Sequence, residues 1–246
     1  MIKKIARKFG YSLKRLHKSE DFDDSFALFL KFNPITTIID CGANIGEYYR
    51  SVRKSGYTGR VLLIEPNPNC YGVLEEICAK DPKATLLKCA CGTEAGEAVL
   101  NIVGADGESG SLSSLRDQTN FTQDRFNHAE VTSTVTVPVK RLDEILIEMG
   151  VGKNEILFLK TDTQGFDLDV LKSIGKFSKR LVGFQTELSV LPLYKEAPSH
   201  WEILEFARKN NFEPLGFGIT SRNVDGRLIE YDAFFIRNNH YPNVTQ

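Results

Sequence analysis

The stretch TTIIDCGANIGEYYRSV, residues 36–52, decides the fold. Its first half is a short apolar, β-branched run, which is typical of a strand buried on both faces. The run passes directly into Asp40 and two glycines, and a helical pattern follows around residues 46–55. Gly42 allows a positive φ or the close approach of a ligand, and Gly46 allows the helix to start tightly against the strand. The stretch therefore predicts a strand, a glycine-containing turn at its carboxyl end, and a helix.

Strands and helices alternate on the C-terminal side of this turn. The predicted strands cover residues 35–42, 60–66, 84–90, 131–139, 155–162, 180–188, 213–219 and 230–238. The predicted helices cover residues 46–55, 69–80, 141–150, 167–177 and 199–212. Such alternation predicts an α/β fold, a doubly wound and mostly parallel sheet with helices on both faces. The Asp225-Gly226 pair predicts a closing hairpin, whose last strand inserts antiparallel beside the parallel strands.

Residues 92–130 lose this periodicity and are rich in Gly, Ser, Asp and Asn, which predicts a long flexible loop. Loops of this length act as lids over a substrate or are surface excursions, and both interpretations are open. The 131–139 strand that follows alternates like an exposed edge strand. We therefore predict an N-terminal basic helical extension over residues 1–30 and a single domain over residues 31–240. That domain carries a lid-like insertion at about residues 100–130.

Composition narrows the class of protein. The 246 residues are 41% hydrophobic and 26% charged, with a formal net charge of -1, so no basic field indicates a nucleic-acid partner. Neither a membrane-spanning apolar run nor a signal-peptide pattern is present. The five cysteines are odd in number and lack zinc-site spacing, which predicts free thiols in a reducing compartment. We expect a cytoplasmic protein.

The first 18 residues differ from the rest of the chain. They carry seven Lys and Arg and no acid, and apolar residues recur at helical spacing. A basic amphipathic helix of this kind can lie on an anionic membrane surface, here the inner face of the membrane. The alternative is a helix that packs its apolar stripe on its own domain. Peripheral membrane contact through residues 1–18 is thus one of two hypotheses.

Acids stand at the tips of two successive predicted strands. Asp40 closes the first strand and Glu65, 25 residues later, closes the second. Ligands of doubly wound sheets bind at the carboxyl ends of the strands, and an acid at the second tip can bind both ribose hydroxyls. The turn reads D-x-G-x-x-x-G rather than the G-x-G-x-x-G of dinucleotide sites, and its acid disfavours a pyrophosphate. The pattern favours a nucleoside site for a cationic cofactor. An NAD-dependent oxidoreductase and a non-catalytic nucleotide-binding module are the alternatives.

Four segments carry a family resemblance. IIDCGANIGEY (38–48), LLIEPNP (62–68), LKCACG (87–92) and LFLKTDTQGFDLDVLKS (157–173) resemble the successive motifs of FkbM-type S-adenosylmethionine-dependent methyltransferases. The likeness runs from about residue 36 to 237, and the K-x-D-x-Q-G stretch is its most discriminating part. It implies a Rossmann-like class I methyltransferase fold with a seven-stranded sheet and an antiparallel last strand. It also implies S-adenosylmethionine as cofactor.

The resemblance further implies a set of cofactor-binding residues. The turn after the first strand would wrap the methionine part, Glu65 would bind the ribose, and residues near the second and third strand tips would border the adenine. The implied residues are Asp40, Gly42, Ala43, Asn44, Gly46, Glu65, Asn67, Cys89, Ala90 and Asp162.

Methyl transfer to a hydroxyl is an in-line displacement that needs alignment and a nearby base. Asp162, at the tip of the predicted strand 155–162, is the first candidate base, followed by Glu187 and then His200. The acids show no known metal-ligand spacing, so no metal is expected. The predicted activity is O-methylation of a hydroxyl of a saccharide or glycoconjugate, as in polysaccharide biosynthesis. The predicted partner is a small-molecule or glycan acceptor.

Overall fold

A computed structural model describes residues 22–103, 109–111, 131–192, 194–195, 197–223 and 225–238. The strands are β1 Thr37–Cys41, β2 Arg60–Ile64, β3 Ala84–Leu87, β4 Ala90–Cys91, β5 Gly96–Val103, β6 Ser109–Ser111, β7 Val131–Lys140, β8 Leu157–Thr161, β9 Leu181–Ser189, β10 Phe212–Arg222 and β11 Leu228–Arg237. The helices are α1 Phe22–Phe32, α2 Glu47–Lys54, α3 Tyr71–Lys80, α4 Leu142–Glu148, α5 Asp167–Ser173 and α6 His200–Lys209. Two 3₁₀ segments cover Pro68–Cys70 and Gly175–Arg180.

Seven strands form the main sheet, in the order β10-β11-β9-β8-β1-β2-β3. β1 pairs in parallel with β2 on one side and with β8 on the other. β2 also pairs in parallel with β3, and β8 pairs in parallel with β9. β11 is antiparallel to both β9 and β10, so the last strand inserts between two strands that run with the others. This confirms the predicted doubly wound, mostly parallel sheet. The strand order reverses between β1 and β8, which is where such sheets bind ligands.

The core lies on both faces of the main sheet. Successive residues of β1 point to opposite faces, so Ile38 and Ile39 belong to different apolar clusters. On the Ile38 face, Phe26 of α1 packs on Phe158 and Phe234 with ring centroids 5.1 and 5.5 Å away. The described part of the predicted 1–30 extension is thus a core helix. The membrane hypothesis concerns residues 1–18, which lie outside the described residues.

A second sheet of four strands, in the order β4-β7-β5-β6, forms where a flexible loop was predicted. That prediction is wrong for residues 96–103 and 109–111, because Leu100 and Ile102 alternate into a small apolar cluster with Val137. The prediction of an edge strand is also wrong, since β7 pairs with β4 on one side and β5 on the other. The remainder of the lid-like insertion, residues 104–108 and 112–130, lies outside the described residues.

Within the described residues, none of the helices combines the length and the apolar character that crossing a membrane requires.

Candidate active site

The turn after β1 is shaped by its glycines. Gly42 has a φ of 79°, and a Cβ there would lie 1.9 Å from the carbonyl oxygen of Asp162. The amide of Asp162 in turn donates to the carbonyl of Cys41 at 3.0 Å. The turns after β1 and β8 therefore touch, backbone to backbone, at a position that only glycine fits. Gly46 caps α2 at a φ of 83° and packs against Ile77 of α3.

Glu65 joins the turns after β1 and β2. Its carboxylate accepts hydrogen bonds from the backbone amides of Asn44, at 2.7 Å, and Asn67, at 2.8 Å. Burial raises the pKa of Glu65 to about 7, although these two amides lower it in part. The carboxylate is fixed in place, and each of its oxygens retains acceptor capacity beyond its one amide.

A pocket of about 680 Å³ opens at the carboxyl ends of β1, β2 and β8. Six of the predicted site residues line it: Gly42, Asn44, Glu65, Cys89, Ala90 and Asp162. Sequence reasoning missed several others, namely Cys41, Ile64, Pro66, Cys91, Leu100, Gly110, Thr163, Gln164 and Phe166. Leu100 and Gly110 come from the second sheet, which thereby contributes to the wall of the pocket.

Four predicted cofactor residues support the turns and do not line the pocket. Ala43 packs in the core, and Gly46 caps α2. The side chain of Asn67 accepts from the amide of Asn69 and caps a 3₁₀ segment. Asp40 is fully buried under the turn. In this structure the four residues support the turns, and their direct contact with a cofactor stays a prediction.

Lys160 neutralises Asp40 and ties two turns together. Asp40 and Lys160 are register partners in the β1–β8 pair, so their side chains share one face of the sheet. The Lys160 ammonium lies 3.3 Å from Oδ1 of Asp40 and 3.5 Å from Oδ2 of Asp162, and it donates to the carbonyl of Gly42 at 3.1 Å. Burial lowers the pKa of Lys160, but attraction to the two carboxylates outweighs it, so the group stays protonated. Burial raises the pKa of Asp40 to about 6, and Lys160 offsets only part of this.

Asp162 is held at the pocket wall with its carboxylate accessible. Besides the Lys160 contact, its Oδ1 accepts a 2.9 Å hydrogen bond from the amide group of Gln164. Gln164 has a φ of 53° and accepts from the hydroxyl of Tyr194 at 2.9 Å. The Asp162 side chain remains 43% exposed. The carboxylate is thus oriented from two sides and open on a third.

The other candidate bases lie elsewhere. Glu187 lines a neighbouring cavity of about 290 Å³, whose wall Gln164 shares with the main pocket. His200 begins α6 and lines neither cavity, and its ring lies 4.5 Å from that of Trp201. Among the described residues, no group of His, Cys, Asp and Glu is arranged to hold a metal ion.

Comparison with known families identifies the chain. The model of the methyltransferase FkbM domain matches residues 40–214, which is more than half of the sequence. The chain belongs to the FkbM methyltransferase family. It is 24% identical over 207 residues to methyltransferase sdnD of Sordaria araneosa, with 76% of this chain and 70% of that protein covered.

Two methyltransferases of known structure are similar to this chain in fold. An rRNA methylase from Streptococcus thermophilus is 11% identical, with a TM-score of 0.45, and the likeness covers 92% of this chain and 99% of that one. The magnesium protoporphyrin IX methyltransferase ChlM from Synechocystis PCC 6803, solved with bound S-adenosylmethionine, is 10% identical with a TM-score of 0.45. That likeness covers 95% of this chain and 90% of ChlM. The family assignment confirms the predicted S-adenosylmethionine-dependent methyltransferase of class I fold, and it does not support the NAD-dependent alternative.

The residues of the main pocket fit S-adenosylmethionine. The pocket lies at the carboxyl ends of parallel strands, which is where doubly wound sheets bind their ligands. Glu65 presents a fixed carboxylate for hydroxyl donors, and the hydroxyl of Thr163 is buried without a hydrogen-bond partner among the described residues. Burial raises the pKa of Cys89 to about 12, so this thiol stays protonated and offers an apolar surface beside Ala90. The bound cofactor supplies an electrophilic methyl group on a sulfonium.

Proposed function

We propose that this FkbM-family methyltransferase O-methylates a hydroxyl of a saccharide or glycoconjugate, with Asp162 as the general base. One observation carries the proposal: the half-exposed Asp162 carboxylate lies in the pocket wall, held by Lys160 and Gln164. A base must lie within hydrogen-bond reach of the hydroxyl whose proton it takes. Holding the carboxylate from two sides aligns it, and alignment supplies much of the rate of an in-line displacement.

The cofactor roles follow the positions of the side chains. Glu65 binds the ribose hydroxyls, Cys89 and Ala90 border the adenine, and the backbone around Gly42 and Asn44 faces the methionine part. Asp40 acts through the Lys160 ion pair on the shape of the turn. Glu187 is the second candidate base because of its position beside Asp162. Thr161 of β8 pairs with Thr186 of β9, and Asp162 and Glu187 directly follow these two residues. His200 ranks last because it lines neither cavity.

The second sheet borders the main pocket. Leu100 and Gly110 of that sheet line the pocket, which supports a lid role for the insertion around residues 100–130. The net charge of -1 favours a small-molecule or glycan acceptor over nucleic acid. A cytoplasmic location, with the basic residues 1–18 at the inner face of the membrane, would suit a lipid-carried glycan.

The test combines binding and turnover. Calorimetric titration with S-adenosylmethionine, S-adenosylhomocysteine and NAD is expected to show micromolar binding of the first two ligands and none of NAD. Transfer of a radiolabelled methyl group to a panel of saccharides and glycolipids is then expected to yield a base-stable ether, and Asp162→Asn is expected to abolish turnover.

The matched control is Asp169→Asn, the same chemical change in the first turn of α5 and outside the main pocket. A base-labile ester or an N-methyl product would refute O-methylation of a hydroxyl. Near-wild-type turnover of Asp162→Asn would remove Asp162 as the base.

A further inference from the structure

The cavity beside the cofactor pocket is lined by acids. Asp167 at the start of α5, Glu187 on β9 and Glu230 on β11 all border this small cavity. Gln164 separates it from the main pocket, since this side chain lines both. The cavity therefore lies next to Asp162, at the place where an acceptor would extend away from the cofactor.

Among the acids that border this cavity, Glu187 differs in its lack of a partner within the described part of the chain. Asp167 accepts a hydrogen bond from the amide of Thr163 at 3.1 Å, and Glu230 accepts one from the hydroxyl of Ser221 at 3.3 Å. No described residue donates a hydrogen bond to the Glu187 carboxylate or forms an ion pair with it. Burial, together with the charges of Asp162 and Glu230, raises the pKa of Glu187 well above its usual value. The side chain is largely buried and borders the cavity, and the largest charge effects on its pKa all come from neighbouring acids.

The missing partner is a cation with several donors. A buried carboxylate without a counter-charge is costly, and a cation in the cavity would relieve that cost. The described His, Cys, Asp and Glu side chains are not arranged to converge on one metal ion. An ammonium group suits separated carboxylates better, because it carries three N–H donors that point in different directions.

We propose that this cavity binds a protonated amino group of the acceptor and so anchors an amine-bearing polyol, such as an amino sugar, with a hydroxyl presented to Asp162. The anchor is Glu187, with Glu230 and Asp167 as flanking acceptors. The inference rests on the proposed function, since it names the class of acceptor for the same active site. Glu187 then serves recognition of the acceptor, whereas Asp162 serves the chemistry.

The test uses three sugars that differ at one position. The protein, saturated with S-adenosylhomocysteine, is titrated calorimetrically with glucosamine, N-acetylglucosamine and glucose. We expect glucosamine to bind at least tenfold more tightly than either neutral sugar and Glu187→Gln to remove this preference. Glu205→Gln, an exposed acid on α6, is the matched control and is expected to keep it.

A second readout separates recognition from a structural role. Because Glu187 faces like charges, we expect Glu187→Gln to melt at a higher temperature than the wild type in the absence of ligand. Equal binding of the three sugars, no glucosamine binding, or a lower melting temperature of Glu187→Gln would overturn the inference. Magnesium binding that Glu187→Gln abolishes would assign the site to a metal and overturn it as well. If S-adenosylhomocysteine itself does not bind, the proposed function fails; if it binds and glucosamine does not, only this inference fails.

Discussion

The ionisation of Glu65 is expected to control the affinity for the cofactor. In the free protein, burial raises its pKa from 4.5 to about 7. In the binding mode that we propose, ribose hydroxyls donate hydrogen bonds to this carboxylate, so binding favours its ionised form. With a pKa near 7, about one tenth of the molecules carry the ionised carboxylate at pH 6 and about nine tenths at pH 8. We therefore expect adenosyl ligands to bind about tenfold more weakly at pH 6 than at pH 8.

The assay uses a ligand that does not itself titrate in this range. 5′-Methylthioadenosine keeps the adenosine ribose and lacks the amino acid part, so its calorimetric titration at pH 6, 7 and 8 reports the ionisation of the protein. Glu65→Gln keeps the size of the side chain and cannot ionise, so its pH profile is expected to be flat. At pH 8 the same substitution is expected to weaken binding by about 10- to 100-fold, since a hydrogen bond to a charged group contributes about 1.5–3 kcal/mol.

Thermal unfolding gives an independent check, because the stability of the free protein is expected to fall with pH while ligand affinity rises. Burial favours the neutral acid in the folded protein, so Glu65 makes the free protein less stable as pH rises from 4.5 towards 7. A ribose that binds the carboxylate removes this penalty, so the rise in melting temperature caused by the ligand is expected to grow from pH 6 to pH 8. The same pH slope in Glu65→Gln would refute the reasoning, and so would a flat profile of the wild type. Asp40→Asn controls for the second buried carboxylate, whose pKa is about 6.

Three further predictions concern the turns and the scaffold. Gly42→Ala is expected to abolish cofactor binding in calorimetry, because its Cβ would lie 1.9 Å from a backbone oxygen. Gly56→Ala is the control, since Gly56 also has a positive φ but has open space around it. The left-handed conformation alone costs a residue with a Cβ about 1–2 kcal/mol. Lys160→Met leaves the Asp40 carboxylate buried without its cation and is expected to cost about 3–5 kcal/mol in urea unfolding. Ser199→Ala removes the capping box of α6 and is expected to cost about 0.5–2 kcal/mol in the same assay, without changing cofactor affinity.

The main sheet and the cofactor turn could be predicted because their signals are local. An apolar run followed by Asp40 and Gly42 predicts the end of a strand from neighbouring residues alone. The role of Asp40 could not be predicted in this way. Its charge is neutralised by Lys160, which lies 120 residues further on, and only the register of β1 against β8 brings the two together.

The second sheet and the second cavity escaped prediction for different reasons. β5 begins with Gly96 and Glu97, and only Leu100 and Ile102 alternate into the apolar cluster of the second sheet. Two alternating apolar residues in a polar segment are too few to predict a strand. The sequence ranks Glu187 as the second candidate base and does not show that it borders a separate cavity. Gln164, whose backbone takes a positive φ, lines both that cavity and the main pocket.

The four named residues of the K-x-D-x-Q-G stretch, Lys160, Asp162, Gln164 and Gly165, form one connected structural unit. Lys160 supports the cofactor turn through the carbonyl of Gly42, and the same ammonium lies beside the Asp162 carboxylate. Gln164 holds the other side of Asp162 and separates the two cavities. Gly165 has a φ of 108°, and a Cβ there would lie 3.2 Å from Ala197, so glycine lets the chain turn back into α5. One ammonium therefore links the backbone of the turn after β1 to the Asp162 carboxylate, which we propose as the general base.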